Sequence, residues 1–292
     1  MTGAREPVLR VRGMSVDYLG ENVVHAVKDV SLDVARGEIV GLAGESGCGK
    51  STFAYGVSQL LRPPAVITGG QVLFHDRTGE DVDVLALRGK ALRAHRWAKV
   101  SMVFQGAMNS LNPVTPVSAQ LRDVFTTHRP GMSKADVRHR SRELLDLVGV
   151  DPARLTSYAH QLSGGMRQRV MIAMALALDP QLMIMDEPTT ALDVVVQRDI
   201  LNEVMRLRAE LGFAVVFITH DLPMLLEISD RIAIMRAGSI LEIGTAEDIF
   251  FAARDPYTRQ LLSSFPSLTG ARGGFIRGGS DPSGAAPQET VS

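Results

Sequence analysis

A glycine-rich loop near the N-terminus constrains the fold of this chain more than any other segment. It follows a continuous apolar run, Ile39 to Ala43, and precedes a stretch of helical character, Thr52 to Leu61, that two prolines stop. The loop matches the pattern G-x-x-x-x-G-K-[ST] and consists of Gly44, Glu45, Ser46, Gly47, Cys48, Gly49, Lys50 and Ser51. Glycines allow the backbone N–H groups to wrap closely around phosphate oxygens. The pattern therefore predicts a buried strand, a phosphate-binding loop and a helix.

Each polar residue at the end of this loop has an expected task. Lys50 should reach the β- and γ-phosphates, and the Ser51 hydroxyl should bind Mg²⁺. Thr52 is a candidate for a further phosphate contact, next to the positive end of the helix dipole. The alternative is a chance glycine turn, but the flanking strand and helix favour the functional interpretation. By itself the loop indicates only a nucleoside triphosphate.

A second apolar run ends in two carboxylates. Leu182 to Met185 is followed directly by Asp186 and Glu187. At the end of a buried strand Asp186 can hold Mg²⁺, directly or through water, and Glu187 can polarise an attacking water as general base. A strand followed by an acidic turn is the alternative. Together with the phosphate loop upstream, the pair predicts the second half of a triphosphate-hydrolysing site.

Short apolar runs alternate with helical patterns along the rest of the chain. Val100 to Phe104 and Ala214 to Ile218 are further buried-strand candidates, and residues 109–179 carry a helical pattern. Before the loop, residues 8–34 partly alternate between apolar and polar, which indicates short strands with a turn. This order predicts an α/β core with a helical insertion. The segment 269–292 is rich in Gly, Ser, Pro and Ala, so we expect a disordered tail.

Charge and cysteine content narrow the possible classes. Thirty-one basic and thirty-two acidic side chains give a net charge of −1, which disfavours a dedicated nucleic-acid binder. Cys48 is the only cysteine, which excludes an intrachain disulfide and a cysteine-built metal cluster. The longest uncharged apolar stretches, such as Val170 to Leu178, fall far short of the roughly 20 residues that cross a bilayer. Any membrane role is expected to come through a partner.

The segment from Leu162 to Arg169 reads Leu-Ser-Gly-Gly-Met-Arg-Gln-Arg and decides the class. It resembles the LSGGQ-like signature of the ABC transporter ATPase family, with Met166 where Gln is commonest. Ser163 is a good N-cap residue, and Gly164 and Gly165 leave the first N–H groups of the helix open to an anion. In the family this motif grips the γ-phosphate of ATP on the other subunit. The resemblance therefore implies a dimer with two ATP molecules between its subunits.

Four further positions resemble the family one by one. Gln105 looks like the glutamine that senses Mg²⁺ and water and faces the membrane subunit, and His220 looks like the histidine that contacts the γ-phosphate. Ala191-Leu192-Asp193 is similar to the loop that crosses the dimer interface, although Asp193 also suits a plain helix cap. Tyr18 matches the aromatic that stacks on adenine, although an aromatic in a strand is more often a core residue. Read alone, Gln105 and His220 could be structural.

The closest resemblance is to the ATPases of oligopeptide, dipeptide and nickel importers. Three segments carry it: Val24-His25-Ala26-Val27, Ser110-Leu111-Asn112-Pro113 after Phe104-Gln105, and Asp255-Pro256-Tyr257-Thr258. Many such subunits have a C-terminal cysteine cluster that binds an iron–sulfur centre, whereas this tail contains no cysteine, so no such cluster is expected. That departure also loosens the cargo assignment. Peptides come first, oligosaccharides second and nickel third.

The resemblance covers the ordered part of the chain and implies its architecture and partners. It predicts an ABC ATPase domain over residues 7–268: a P-loop NTPase (RecA-like) core, an N-terminal antiparallel β subdomain, and a helical subdomain at about 109–179. ATP and Mg²⁺ are the expected ligands. The expected partners are a second ATPase subunit, with a heterodimer favoured, two transmembrane permease subunits and a solute-binding protein, but no nucleic acid. Residues 109–117 are the candidates for the permease contact, at the cytoplasmic face of the membrane.

Two other classes remain as alternatives. A soluble ABC ATPase of DNA repair or translation would need no membrane partner, but such proteins typically carry long coiled-coil insertions or two tandem cassettes. This chain has one cassette and no sustained heptads. A small-molecule or nucleoside kinase would share the phosphate loop but would need neither the Ser163 motif nor His220.

Overall fold

A computed structural model describes residues 6–107, 110–190 and 192–264 of the chain. Its first part is a four-stranded antiparallel sheet of strand order β2-β1-β4-β5. The strands are β1 (Pro7–Tyr18), β2 (Val24–Ala35), β4 (Ala65–His75) and β5 (Asp81–Asp83). The strands β1 and β2 are thus twelve residues each and longer than the short strands expected, because irregularities of register let the alternating pattern continue through them.

A six-stranded sheet forms the centre of the molecule, in the order β10-β9-β3-β8-β7-β6. The five strands from β9 to β6 are parallel, and only the edge strand β10 runs antiparallel to its neighbour. In chain order they are β3 (Ile39–Ala43), β6 (Val100–Val103), β7 (Leu182–Asp186), β8 (Ala214–Ile218), β9 (Arg231–Arg236) and β10 (Ser239–Thr245). The four continuous apolar runs of the sequence are therefore four adjacent strands, and their carboxyl ends lie at one edge.

The parallel sheet separates two apolar cores, which explains why its strands are apolar throughout. Along β8, Val216 and Ile218 pack with the antiparallel sheet, whereas Val215 and Phe217 pack with the helices on the other face. Successive side chains of a strand point to opposite faces, so burial on both sides requires a continuous apolar run. The N-terminal strands cover one face only and accordingly alternate.

Nine α-helices occupy the described part of the chain. They are α1 (Lys50–Val57), α2 (Gly89–His95), α3 (Val117–His128), α4 (Lys134–Leu147), α5 (Gly164–Leu176), α6 (Val194–Leu211), α7 (Leu222–Ile228), α8 (Ala246–Ala252) and α9 (Pro256–Ser263). Ser133 caps α4 as expected, since its hydroxyl accepts the Asp136 N–H at 3.1 Å. Between β6 and β7 the described chain is helical, which agrees with the predicted insertion.

The helix after the phosphate loop differs from the sequence expectation at both ends. It begins at Lys50, because Gly49 takes a left-handed conformation at its N-cap, and it ends at Val57 rather than Leu61. Gln59 is left-handed (φ 52°), and the Leu60 N–H turns back to the Tyr55 carbonyl at 2.7 Å. This turn ends the helix before the prolines are reached.

Helices in residues 6–107, 110–190 and 192–264 are all too short or too polar to cross a membrane. The predicted tail, 269–292, and position 109 of the predicted permease contact lie outside these residues.

Candidate nucleotide site

The phosphate loop has a shape that only glycine permits at two of its positions. Gly44 has a φ of 153°, and a Cβ there would lie 2.1 Å from the Met235 carbonyl oxygen. Gly49 has a φ of 107°, and its Cβ would lie 2.3 Å from the Ala26 carbonyl oxygen. Both atoms are backbone and cannot move aside, so the close approach of the loop to its neighbours depends on these glycines.

The side chain of Lys50 folds back against the phosphate loop. Its side chain is buried, and its ammonium group donates to the carbonyl oxygens of Gly44 and Glu45, each at 2.8 Å. The Cys48 Sγ lies 3.6 Å from the same nitrogen. Buried ammonium groups require such partners. The loop therefore presents a positive charge at the point where a phosphate would enter.

The Asp186 carboxylate lies beside the start of α1. Its Oδ1 accepts the Ser51 hydroxyl at 3.0 Å, while its Oδ2 is buried without a hydrogen bond. The side chain has no exposed surface, and burial raises its pKa; Ser51 opposes this effect and the neighbouring Glu187 adds to it. A buried, partly unsatisfied carboxylate next to a hydroxyl supplies hard oxygen ligands, which is the donor set that Mg²⁺ takes together with phosphate oxygens. The residues present thus fit this ion.

Glu187 follows β7 and contacts residues that follow the neighbouring strands β6 and β8. Its Oε2 accepts from Gln105 Nε2 at 2.9 Å and from the Thr190 hydroxyl at 3.1 Å, and its Oε1 lies 3.2 Å from His220 Nδ1. The backbone of Glu187 is left-handed (φ 44°), and its N–H bonds the Ile218 carbonyl at 2.9 Å. A left-handed non-glycine residue is strained and needs support of this kind. Of the three residues predicted to be catalytic, Gln105 and His220 thus each contact Glu187 directly.

The Ser163 segment begins a helix. The hydroxyl of the exposed residue Ser163 accepts the Met166 N–H at 3.2 Å, while Gly164 and Gly165 form the half-buried first turn of α5. A Cβ on Gly165 would lie 2.8 Å from Val196, so this turn packs against the start of α6. Among the described residues no hydrogen bond or ion pair joins the segment to the phosphate loop of the same chain. That is the arrangement expected if the segment serves a second subunit.

Asp193 and Tyr18 have local partners. The Asp193 carboxylate accepts the Val196 N–H at 3.0 Å and caps α6, which is the plain helix-cap role considered for it. The Tyr18 hydroxyl lies 3.1 Å from the Thr52 hydroxyl, so these two predicted residues meet beside the phosphate loop. Dimer-crossing and adenine-stacking contacts remain predictions for them. Ala191 lies outside the described residues.

Two residues of this site were missed by the sequence interpretation. Thr190 supports Glu187, as described above. Tyr55 lies one helical turn after Ser51; its hydroxyl interacts with the Asp186 carboxylate, and its ring meets Phe104 edge-on with centroids 6.0 Å apart. The i, i+4 spacing from Ser51 was the available signal for Tyr55, because such residues share a helix face.

Comparison with known proteins agrees with this geometry. The ABC transporter family model matches residues 27–190. The dipeptide transport ATP-binding protein DppD of Bacillus subtilis is 43% identical over 267 residues, covering 90% of this chain and 78% of that protein. The glutathione import ATP-binding protein GsiA of Pectobacterium atrosepticum is 42% identical over 270 residues, covering 91% of this chain and 43% of that protein.

Solved structures show the same fold. The dimeric ATP-binding cassette MJ0796, in a post-hydrolysis state with ADP and Pi, superposes with a TM-score of 0.70 at 29% identity, covering 82% of this chain and 98% of the cassette. The cbiO1 cassette of Clostridium perfringens gives a TM-score of 0.70 at 25% identity, with 90% and 98% covered. The chain therefore belongs to the ABC transporter family, as one of its ATP-binding and ATP-hydrolysing subunits.

Proposed function

We propose that this chain hydrolyses ATP to power a membrane importer of peptides. The observation that carries the hydrolytic part is the cluster of Gln105, Glu187 and His220 beside the Ser51–Asp186 pair. Support for the cargo comes from the relatives, whose names describe dipeptide and glutathione import. Peptides thus stand ahead of oligosaccharides and nickel.

Each site residue has a proposed task in the reaction. The phosphate loop binds the ATP phosphates through its backbone, with Lys50 at the β- and γ-phosphates. Ser51, Asp186 and Gln105 would hold Mg²⁺, which when bound neutralises charge on the phosphate oxygens. Glu187 orients the attacking water and accepts its proton, and His220 holds the γ-phosphate. A strained Glu187 backbone with three supporting contacts keeps the carboxylate in one place before substrate arrives.

A second ATPase subunit completes each site in this proposal. Ser163, which is exposed, and the first turn of α5 would face the γ-phosphate of ATP bound by the partner, with Asp193 at the crossing loop. Val194 and Val195, directly after Asp193, are 78% and 71% exposed, and such apolar side chains favour burial against another protein. We infer a heterodimer, as in the importer subfamily that the chain resembles.

The permease contact is proposed for the start of the helical region. Val114, within the predicted contact segment, is 78% exposed. Just after this segment in the chain, α3 forms one wall of a groove of about 640 Å³ that runs between α3, α4 and residues 151–156, and Val137 and Leu155 are the buried apolar residues of its lining. Its cations are Arg122 of α3 and Lys134, Arg138 and Arg142 on successive turns of α4.

This groove favours an acidic helix of the permease. None of its four cations has an ion-pair partner within the described residues, and Asp151 is the only acidic residue in its lining. A helix with apolar side chains toward the floor and carboxylates toward α4 would satisfy both features. Assembly would then place the chain at the cytoplasmic face of the membrane and weaken as salt rises.

Reconstitution tests the whole proposal. The chain would be co-expressed with a second ATPase subunit and two permease subunits, and the complex would be placed in lipid nanodiscs. We expect its ATPase rate to rise when a solute-binding protein loaded with a dipeptide or oligopeptide is added. Stimulation only by a binding protein carrying an oligosaccharide or nickel would overturn the peptide assignment. If the chain binds no permease subunit and hydrolyses ATP at its full rate without one, the transport assignment would be overturned.

A further inference from the structure

Two consecutive hydroxyl groups at the start of α1 have different partners. Ser51 donates to the Asp186 carboxylate, on the side of the site proposed for Mg²⁺. The hydroxyl oxygen of Thr52, the next residue, lies 3.1 Å from the hydroxyl oxygen of Tyr18, at the end of β1. Thr52 and Tyr18 are both half-buried, so this pair is not sealed in the core. The proposed ATP site gives the Tyr18 ring a task but leaves its hydroxyl without one.

The sheet on both sides fixes the position of Tyr18. It is the last residue of β1 and is paired with Val24 of β2 on one side and with Ala65 of β4 on the other. The N–H of Leu19 then donates to the Pro64 carbonyl at 2.9 Å and ends the strand. The side chain of Tyr18 also packs against the apolar core beneath the antiparallel sheet. Its hydroxyl therefore meets α1 from a backbone that is held in place.

The helix α1 is held against the same strand. A Cβ on Gly56, near the end of α1, would overlap the methyl group of Met14, so the helix approaches β1 closely at this glycine. At the other end of α1, the Phe53 N–H donates to the Gly49 carbonyl at 2.8 Å and joins the first turn to the phosphate loop. The contact between Tyr18 and α1 thus connects two elements whose relative position is set by packing.

The direction of the hydrogen bond follows from what a phosphate can accept. Phosphate oxygens only accept hydrogen bonds, so the Thr52 hydroxyl must donate its single proton to contact one. A Tyr18 hydroxyl that donates to the Thr52 oxygen leaves this proton free, whereas the opposite direction would use it up. A phenol suits the donor role, because its oxygen shares its lone pairs with the ring. Consecutive hydrogen bonds also polarise and strengthen each other.

We propose that Tyr18 is a positioning residue for the phosphates of ATP and that it acts through its hydroxyl on Thr52. The Tyr18 O–H donates to the Thr52 Oγ1 and directs the Thr52 proton toward a phosphate oxygen. This inference rests on the proposed ATP site and goes beyond the adenine contact predicted for the same residue, which would use only the ring. It makes the end of β1 a determinant of phosphate binding.

Exchanging Tyr18 for Phe tests this, because the change removes the hydroxyl and keeps the ring with any stacking on the base. We expect the Kd for MgATP, measured by calorimetry on the full chain, to rise about threefold to tenfold, the range for one hydrogen bond. In the assembled transporter KM for ATP should rise similarly while kcat stays within about twofold, because Tyr18 takes no part in the contacts of Glu187.

Variants of Thr52 show whether the Tyr18 hydroxyl acts through this residue. Thr52→Val removes the donor to a charged phosphate and should raise the Kd about tenfold to a hundredfold, whereas Thr52→Ser keeps the hydroxyl and should stay within about threefold of wild type. Once residue 52 has no hydroxyl, loss of the Tyr18 hydroxyl should have no further effect. The double variant Tyr18→Phe/Thr52→Val should therefore match Thr52→Val within about twofold.

Tyr158→Phe is the matched control. It removes the same phenolic hydroxyl from a tyrosine ahead of α5, whose ring stacks on His160, and it should leave the Kd unchanged. An unchanged Kd in Tyr18→Phe, an equal rise in Tyr158→Phe, or single effects that multiply in the double variant would overturn the inference. Lys50→Ala tests the level below: if it still binds MgATP normally, the proposed ATP site itself is wrong.

Discussion

Exchanging Glu187 for Gln is the sharpest test of the hydrolytic mechanism. The amide has nearly the shape of the carboxylate but cannot accept a proton from water. Its oxygen can still accept from Gln105, so the cluster around residue 187 is expected to persist. General-base catalysis contributes about 100-fold to 10,000-fold, or ~3–5 kcal/mol of transition-state stabilisation. We therefore expect kcat to fall by that factor.

ATP affinity should survive the same exchange. Lys50 bonds only loop atoms, and Ser51 bonds Asp186, so neither contact involves Glu187. Calorimetry on the full chain should give a Kd within about threefold of wild type, and the assembled transporter should trap ATP in a closed dimer.

Thr190→Val provides the control for geometry. It removes one hydrogen bond to the Glu187 Oε2 and leaves the carboxylate in place, so we expect a loss of only about tenfold or less. A Glu187→Gln transporter that hydrolyses ATP at the normal rate would refute the base assignment. A Thr190→Val transporter that hydrolyses ATP as slowly as the Glu187→Gln transporter would also refute it. The fall in rate would then come from a displaced carboxylate rather than from lost proton transfer.

Three further predictions concern the loop and the stability of the fold. Lys50→Ala should raise the Kd for MgATP about tenfold to a hundredfold, since it removes a charge-assisted contact to phosphate; calorimetry measures it. Gly44→Ala would place a Cβ 2.1 Å from the Met235 carbonyl, so ATP binding should be lost, whereas Gly47→Ala, which meets no atom within 4 Å and carries only the strain of a φ of 77°, should weaken binding without abolishing it. Burial lowers the pKa of His95 to about 4, so the unfolded chain binds more protons between about pH 4 and 6.5. The free energy of unfolding should therefore fall by ~2 kcal/mol from pH 7 to pH 5 through this group, and urea titrations of His95→Leu should lack that component.

The sequence alone determined the buried strands and the phosphate loop, because short-range patterns specify both. Continuous apolar runs predicted β3 and β8 at their observed bounds and β7 to within one residue, because a strand buried on both faces admits no polar side chain. The phosphate loop followed from its glycines, since few other residues tolerate a φ of 107° or 153°. The two carboxylates were predicted at the end of a strand, which is where Asp186 and Glu187 lie.

Tertiary structure decided which of these local features meet. The order β3-β8-β7-β6 brings Gln105 and His220 within hydrogen-bonding distance of Glu187. In the chain, Gln105 is 82 residues and His220 is 33 residues away from Glu187. The contact of Arg236 with the Tyr257 ring depends on how β9 and α9 pack, and no periodicity records that. Side-chain patterns encode which face of an element is buried, whereas the partner across that face is set by the packing of the whole chain.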